Sequence, residues 1–325
     1  MLEVLLGVAR DAGRRVTLLG LLPTAMLALY VLALVWGGAP DDAPSLGRFV
    51  DHLEDLSTTE VLLGFLALLG VAILSQPLQL PLVRLMEGYW PRGADALAQA
   101  RRDAHRKRRA QLEAAQLLTA EQADSESDRE GEREARAQAA WRLRKLYPPD
   151  PLVMPTALGN ALRAAEDRAG RRYGLDTIAV WPRLYPLLSD RVLGIVDDER
   201  TQLDMAVRFS AVLVLAALAS LGLLITHGWL LLVSAAVAVL AWLSYKGAVG
   251  AAVAYGEGLE TAFDLHRFDL LRALHLPLPA SADEERALNA QVTAFLLQGQ
   301  RFPFAYEHSD PGKVADDGPT AVVGD

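Results

Sequence analysis

The chain has 325 residues, 52% of them apolar and 22% charged, with a formal net charge of −8. It contains no cysteine, which excludes disulfide frameworks, thiolate zinc sites and cysteine nucleophiles. Basic residues gather beside apolar runs while acidic ones spread through loops and tails, so the net charge alone predicts no partner.

At the start, Leu2, Leu5, Leu6 and Ala9 recur at helical spacing. They suggest a short amphipathic helix on a membrane surface, or an extension of the apolar run that follows. Residues 16–40 and 61–83 carry no charge, and a third apolar run from Phe209 to Tyr245 is broken only by Thr226-His227-Gly228. A hydrocarbon core about 30 Å thick takes roughly 20 helical residues, so the third run is expected to be two spans folded at His227. The first run exceeds the roughly 7 to 15 apolar residues of a signal core and is expected to stay as a span. The expectation is an all-α integral membrane protein with four transmembrane helices in two hairpins. A helical cytoplasmic domain lies between spans two and three, and a helical cytoplasmic segment follows span four.

Orientation follows from lysine and arginine beside the spans. Arg10, Arg14 and Arg15 precede span one, and Arg84 and Arg92 follow span two, whereas residues 41–60 hold one basic residue, Arg48, against six acids. Both termini are therefore expected in the cytoplasm. Trp36 and Trp229 suit an outer interfacial belt, and Tyr89, Trp90, Trp242 and Tyr245 an inner one. The boundaries so read are an N-terminal hairpin over 1–92 (spans about 16–38 and 61–83) and a cytoplasmic domain over 93–205 with a charged connector at about 121–138. A second hairpin covers 206–256 (spans about 208–226 and 229–248), C-terminal helices 257–301, and a disordered tail 302–325.

Span two carries Gln76, Pro77, Gln79 and Pro81 in its cytoplasmic half. Proline removes a backbone donor and crowds the preceding turn, so a kink is expected, or else a polar wall with both amides facing a pore. No ionisable residue lies mid-span, which disfavours proton-coupled or ion-coupled transport. Beyond span two, Arg101, Arg102, Arg106, Lys107, Arg108 and Arg109 form a basic stretch suited to anionic lipid headgroups. No aromatic residue interleaves it, which disfavours nucleic acid. Residues 121–134 are almost wholly charged or small and suit a solvated helix or disordered connector.

Four prolines between Pro148 and Pro155 enforce an extended entry to a helix capped by Thr156. Its apolar face runs Leu158, Ala161, Leu162, Ala165, Ala169. Around it, Asn160, Glu166, Tyr173, Asp176, Trp181 and Arg183 form a candidate polar cluster, or else the anchors of a compact fold. The pieces Pro155-Thr156-Ala157-Leu158-Gly159-Asn160, Tyr173-Gly174-Leu175-Asp176 and Trp181-Pro182-Arg183-Leu184, with the two-span hairpin after them, resemble a group of multispan bacterial membrane proteins of uncharacterised activity. The resemblance covers roughly Leu146 to Pro279 and implies no catalytic residue and no cofactor. Abundant Ala, Leu and Arg with little Lys fits a high-GC bacterium, and so its plasma membrane.

Spans three and four are expected to continue as a paired stalk. Val192, Ile195, Val196, Leu203 and Val207 mark one stripe, and Gly247, Gly250, Ala251 and Ala254 allow close approach on the other helix. Glu257, Glu260 and Asp264 share a face that suits a cation site or, better, mates for Arg163, Arg168 or Arg200. Ser281 with Glu284 forms a capping box for a last helix to about Gln298, with Leu288, Val292, Phe295 and Leu296 on its apolar side.

No phosphate-cradling glycine loop or nucleophile elbow is present, and His52 with Glu54 and Asp55 is the one local group with ligand chemistry. No metal or cofactor is expected. The leading expectation is a non-enzymatic membrane anchor or scaffold that presents its cytoplasmic region for self-association or docking of a cytoplasmic protein. The alternative is a homo-oligomeric channel or membrane-permeabilising protein lined by span two, ahead of a membrane-surface enzyme.

Overall fold

A computed structural model describes residues 23–74, 76–117, 126–299 and 304–308. Among these the chain is all-helical, with no strand. In order come α1 (Pro23–Trp36), α2 (Leu46–Glu54), α3 (Thr58–Leu74), α4 (Gln76–Glu87), α5 (Asp95–Leu117) and α6 (Glu126–Leu146). They are followed by α7 (Ala157–Arg171), α8 (Thr177–Leu184), α9 (Asp190–Leu224), α10 (Leu231–Ala273) and α11 (Ala282–Gln298). The expected amphipathic N-terminal helix, the arginines before span one, most of the charged connector's start and the tail beyond His308 lie outside the described residues.

Among the described residues two helices, α9 and α10, are long and apolar enough to cross a membrane, rather than the four expected. The described parts of the first two apolar runs are too short on their own: α1 has its described start at Pro23, and α3 has 17 residues, about 25 Å of helix against a core of about 30 Å. On the far side of residue 75, α4 runs through Pro81 to Glu87, so that proline does not end the helix.

The chain forms two compact units, residues 1–167 with 194–259 and residues 168–193 with 260–325. Of the expected 93–205 domain, residues 168–193 fall in the unit that holds α11, and residues 93–167 and 194–205 in the other. In the first unit, Leu224 and Leu230 around the α9–α10 turn pack with Ala39, supported by Leu34 of α1. The stripe Val192, Val196, Leu203 and Val207 is buried as expected, while Ile195 is exposed. Gly247 and Gly250 face open space, and beside them Ala248 and Ala252 are buried instead. Helices α5 and α6 pack side by side, and α6 shows that the charged segment from Glu126 onward is helix.

In the second unit, Leu271, Leu276 and Val292 form a core with Phe268, Leu288 and Leu296 packed on it. Ser281 accepts from the Glu284 amide at 3.2 Å while the Glu284 carboxylate accepts from the Ala280 amide at 2.9 Å, the expected cap. Residues 304–308, within the expected tail, are among the described residues. Phe304 meets Phe295 edge-on at 5.8 Å, and the Glu307 amide donates to the His275 carbonyl at 2.8 Å, so residues 304–308 are held against α11 and the end of α10.

Candidate functional site

The six residues of the expected polar cluster acquire separate partners. Asn160 is fully buried and bonds only main chain: its Oδ1 accepts from the Met154 amide at 2.7 Å, and its Nδ2 donates to the Met154 and Thr156 carbonyls at 2.9 and 2.8 Å. Such a side chain closes a loop and has both of its amide protons committed to main chain. Glu166 pairs with Arg163 at 3.2 Å, and Arg163 donates to the Tyr89 hydroxyl at 2.7 Å. In the second unit Asp176 caps α8 through the Ala179 amide at 2.8 Å. Trp181 stacks on the buried Phe263 with centroids 6.3 Å apart, and Arg183 donates to the Ala179 carbonyl at 2.9 Å. Tyr173 donates to Asp264 at 2.6 Å.

The segment from Pro155 to Asn160 is a fastening between α4, α7 and α10. The Thr156 hydroxyl donates to the Glu87 carbonyl at 2.8 Å and accepts from the Gly159 amide at 3.1 Å, so it caps α7 while tying it to the end of α4. Tyr245 completes the cap by accepting from the Leu158 amide at 3.1 Å. Gly88, with φ +103°, lets the chain turn away beneath Pro155 and Thr156. Burial raises the Glu87 carboxyl above the ordinary carboxylate range, with Arg200 opposing the shift.

The acidic face of α10 is saturated with basic partners. Glu257 pairs with the buried Lys145 at 3.2 Å. Glu260 pairs with Arg168 at 3.0 Å and Arg172 at 3.2 Å, and Asp264 with Arg172 at 3.4 Å. Of the expected mates, Arg168 is the one used here; Arg163 pairs with Glu166, and Arg200 with Asp204 at 3.3 Å. Arg267 extends the network, lying 4.3 Å from the Tyr173 ring centroid and pairing with Glu285 at 2.7 Å. This is a structural lattice of charge in which each carboxylate already has its cation, and no group of metal-ligating residues occurs among the described residues, His52, Glu54 and Asp55 included.

Of the basic stretch on α5, Arg106 pairs with Asp103 and Asp150, and Arg109 with Glu113. Arg101, Lys107 and Arg108 are exposed, and Arg102 is half-buried. The side chains of Gln76, Pro77 and Gln79 lie outside the described residues. Between α5 and α6, burial and then the charge of Arg101 push the His105 imidazole below its ordinary range, and its Nδ1 lies 3.5 Å from the Tyr147 hydroxyl. A depressed folded value means that the neutral ring favours the fold. That contribution is complete above pH 6.5 and is lost as pH falls through the folded value. Thermal unfolding in detergent is therefore expected to shift downward between pH 7 and 5, and His105→Gln is expected to flatten that shift.

One constellation was missed in the sequence because its members are far apart in the chain. Ser189 Oγ lies 3.4 Å from His266 Nε2, and His266 Nδ1 lies 2.9 Å from Asp269, which Arg272 holds at 2.8 Å. The order resembles a nucleophile, base and orienting acid. The backbone amide of Ser189 also donates to Nε2 at 3.4 Å, so the ring's free lone pair is engaged in starting α9. The arrangement serves as a helix anchor. An apolar cavity of about 250 Å³ lies among α1, α9 and α10, lined by Met26, Leu27, Tyr30, Phe209 and Val237 among others. Among the described residues its lining is apolar apart from the Tyr30 hydroxyl.

No protein-family model, curated protein or solved structure matches the chain. The functional reading rests on its own geometry.

Proposed function

We propose that this protein is a non-enzymatic, polytopic anchor of a bacterial plasma membrane, with four crossings, both termini in the cytoplasm, and a helical cytoplasmic region that self-associates or docks another protein. The observation that carries the reading is the exposure of its most apolar helices. Only 33% and 17% of the most apolar windows of α9 and α10 is buried within the chain. Leu218, Val239, Leu240 and Leu243 are exposed. Every large apolar side chain from Val61 to Leu66 in α3 faces outward, around the whole circumference of the helix. A core helix of a water-soluble protein would be mostly covered. These surfaces need an apolar surrounding, and a bilayer provides one at no cost in packing.

Four crossings are supported by the sequence itself, in which the uncharged runs 16–40 and 61–83 are each long enough to span a bilayer. Arg101, Lys107 and Arg108 are exposed and, among the described residues, outside the ion pairs that hold Arg106 and Arg109, and in this reading they meet anionic headgroups. The saturated polar groups around α7 and α10 support a rigid presenting role in place of turnover.

The protein is expected to stay with native membranes through an alkaline carbonate wash, to yield a discrete crosslinked species there, and to be silent in planar bilayers. Release by carbonate overturns the membrane placement. A reproducible unitary current abolished by Gln76→Leu with Gln79→Leu overturns the anchor in favour of a channel, and a chain that remains monomeric and uncrosslinked removes the scaffold role.

A further inference from the structure

The segment joining α1 and α3 contains a helix with an apolar face that, among the described residues, is covered only in part, by Trp36 against Phe49. Leu46, Phe49, Val50 and Leu53 fall at positions i, i+3, i+4 and i+7 of α2, one continuous apolar stripe, while Gly47, Arg48, Asp51 and Glu54 occupy the other side. No residue of α2 is buried, and Leu46 at the leading end of the stripe is 77% exposed.

Both ends of α2 are tied close to the ends of apolar helices. Ser45, which caps α2 by accepting from the Arg48 amide at 3.3 Å, donates its own amide to the Gly37 carbonyl at 3.0 Å, one residue past the end of α1. The Trp36 ring at that end meets Phe49 and His52 with centroids 6.4 and 6.2 Å apart. At the other end, only residues 55–57 separate α2 from α3, a reach of about 10 Å when fully extended. Ser57 and Glu60 then close the start of α3 with a reciprocal cap, the Ser57 amide donating to the Glu60 carboxylate at 2.9 Å. A nine-residue helix, about 13 Å long, held at both ends in this way stays beside the boundary from which α1 and α3 emerge.

We infer that α2 is an interfacial helix that lies in the plane of the outer leaflet, with Leu46, Phe49, Val50 and Leu53 sunk to the boundary between headgroups and acyl chains. The inference rests on the reading of α1, α3, α9 and α10 as membrane helices. Its polar face determines the kind of lipid surface. Arg48 is engaged by Asp42 at 2.9 Å, and Asp51 and Glu54 leave that face without surplus positive charge. Insertion is driven by the apolar stripe alone and needs no anionic lipid, in contrast to the basic helices usually found at membrane surfaces. Trp36 and Phe49 then form a continuous aromatic patch at the depth that such rings favour.

The natural absence of cysteine allows single spin labels to be placed in the full chain without other changes. Labels at Leu46, Val50 and Leu53, at Gly47, Asp51 and Glu54, and at Leu218 on α9 would be measured in phosphatidylcholine vesicles against oxygen, which partitions into lipid, and a water-soluble nickel chelate. Positions 46, 50 and 53 are expected to favour oxygen severalfold over positions 47, 51 and 54. Leu218 serves as the reference for the membrane reading itself. Oxygen access at Leu218 with nickel access along all of α2 overturns the interfacial helix and leaves the membrane reading intact. Exclusion of both reagents from 46, 50 and 53, with spin–spin broadening, means that a second copy covers the stripe and also overturns it. Nickel access at Leu218 overturns both.

Discussion

Replacing Gly159 with alanine is expected to unfold the first unit or to cost roughly 3 kcal/mol, the upper range for overpacking a site that cannot relax. A Cβ at this position would stand 1.9 Å from the Glu87 carbonyl oxygen and 3.0 Å from the carbonyl carbon, both main-chain atoms at the end of α4. Neither can move without breaking the bond from Thr156 to the same oxygen. Helix propensity alone predicts the opposite sign, since alanine is favoured over glycine inside a helix by about 1 kcal/mol. Gly194→Ala in α9, where nothing lies within 4 Å, is the matched control and should gain part of that amount. Thermal unfolding of both variants in detergent distinguishes the cases. A Gly159→Ala protein as stable as the wild type would show that α4 and α7 do not approach this closely.

Glu260→Ala is expected to cost about 3 to 5 kcal/mol in the second unit, because it strands a buried cation. The Arg168 and Glu260 side chains are only 14% and 13% exposed, at 3.0 Å from each other, whereas Arg172, the second partner, is 46% exposed and can turn to water. Arg172→Ala should therefore cost little, in the range of a surface pair. Arg168→Met with Glu260→Leu is expected to recover much of the loss, since an apolar pair of similar volume often replaces a buried ion pair at no net cost. The double-mutant cycle checks this by denaturant unfolding. Independent, additive losses from the two single variants would show that the pair is not coupled.

Much of the helical layout was legible because it depends on local pattern. The caps at Thr156 and Ser281 carry their own donors and acceptors within four residues, and the faces of α7 and α11 are set by a 3.6-residue period. The arginine mates of Glu260 were legible as a class, since an acidic stripe on a partly buried helix needs cations, but the choice of Lys145 for Glu257 depends on a packing that no local window contains. The six expected polar residues have separate partners for the same reason: Asn160 spends its hydrogen bonds on main chain four and six residues away, and Tyr173 reaches Asp264 far along the chain. The period of helix α2 is spelled by Leu46, Phe49, Val50 and Leu53, but the acidic residues of the same segment dominate its composition and mask that period. The glycines expected to permit close approach on α10 face open space, and the true close approach lies at Gly159, whose neighbour Glu87 precedes it by more than seventy residues.

The fastening at Thr156, Gly159 and Asn160 is built from a hydroxyl, an amide group and bare peptide, and none of its bonds depends on which apolar residues fill the neighbouring helices. Exposed apolar positions can drift among leucine, valine and alanine without disturbing it. A short proline–threonine–glycine–asparagine signature would then outlast the hydrophobic segments as a marker of descent, and distant kin are better sought by those few letters than by overall similarity.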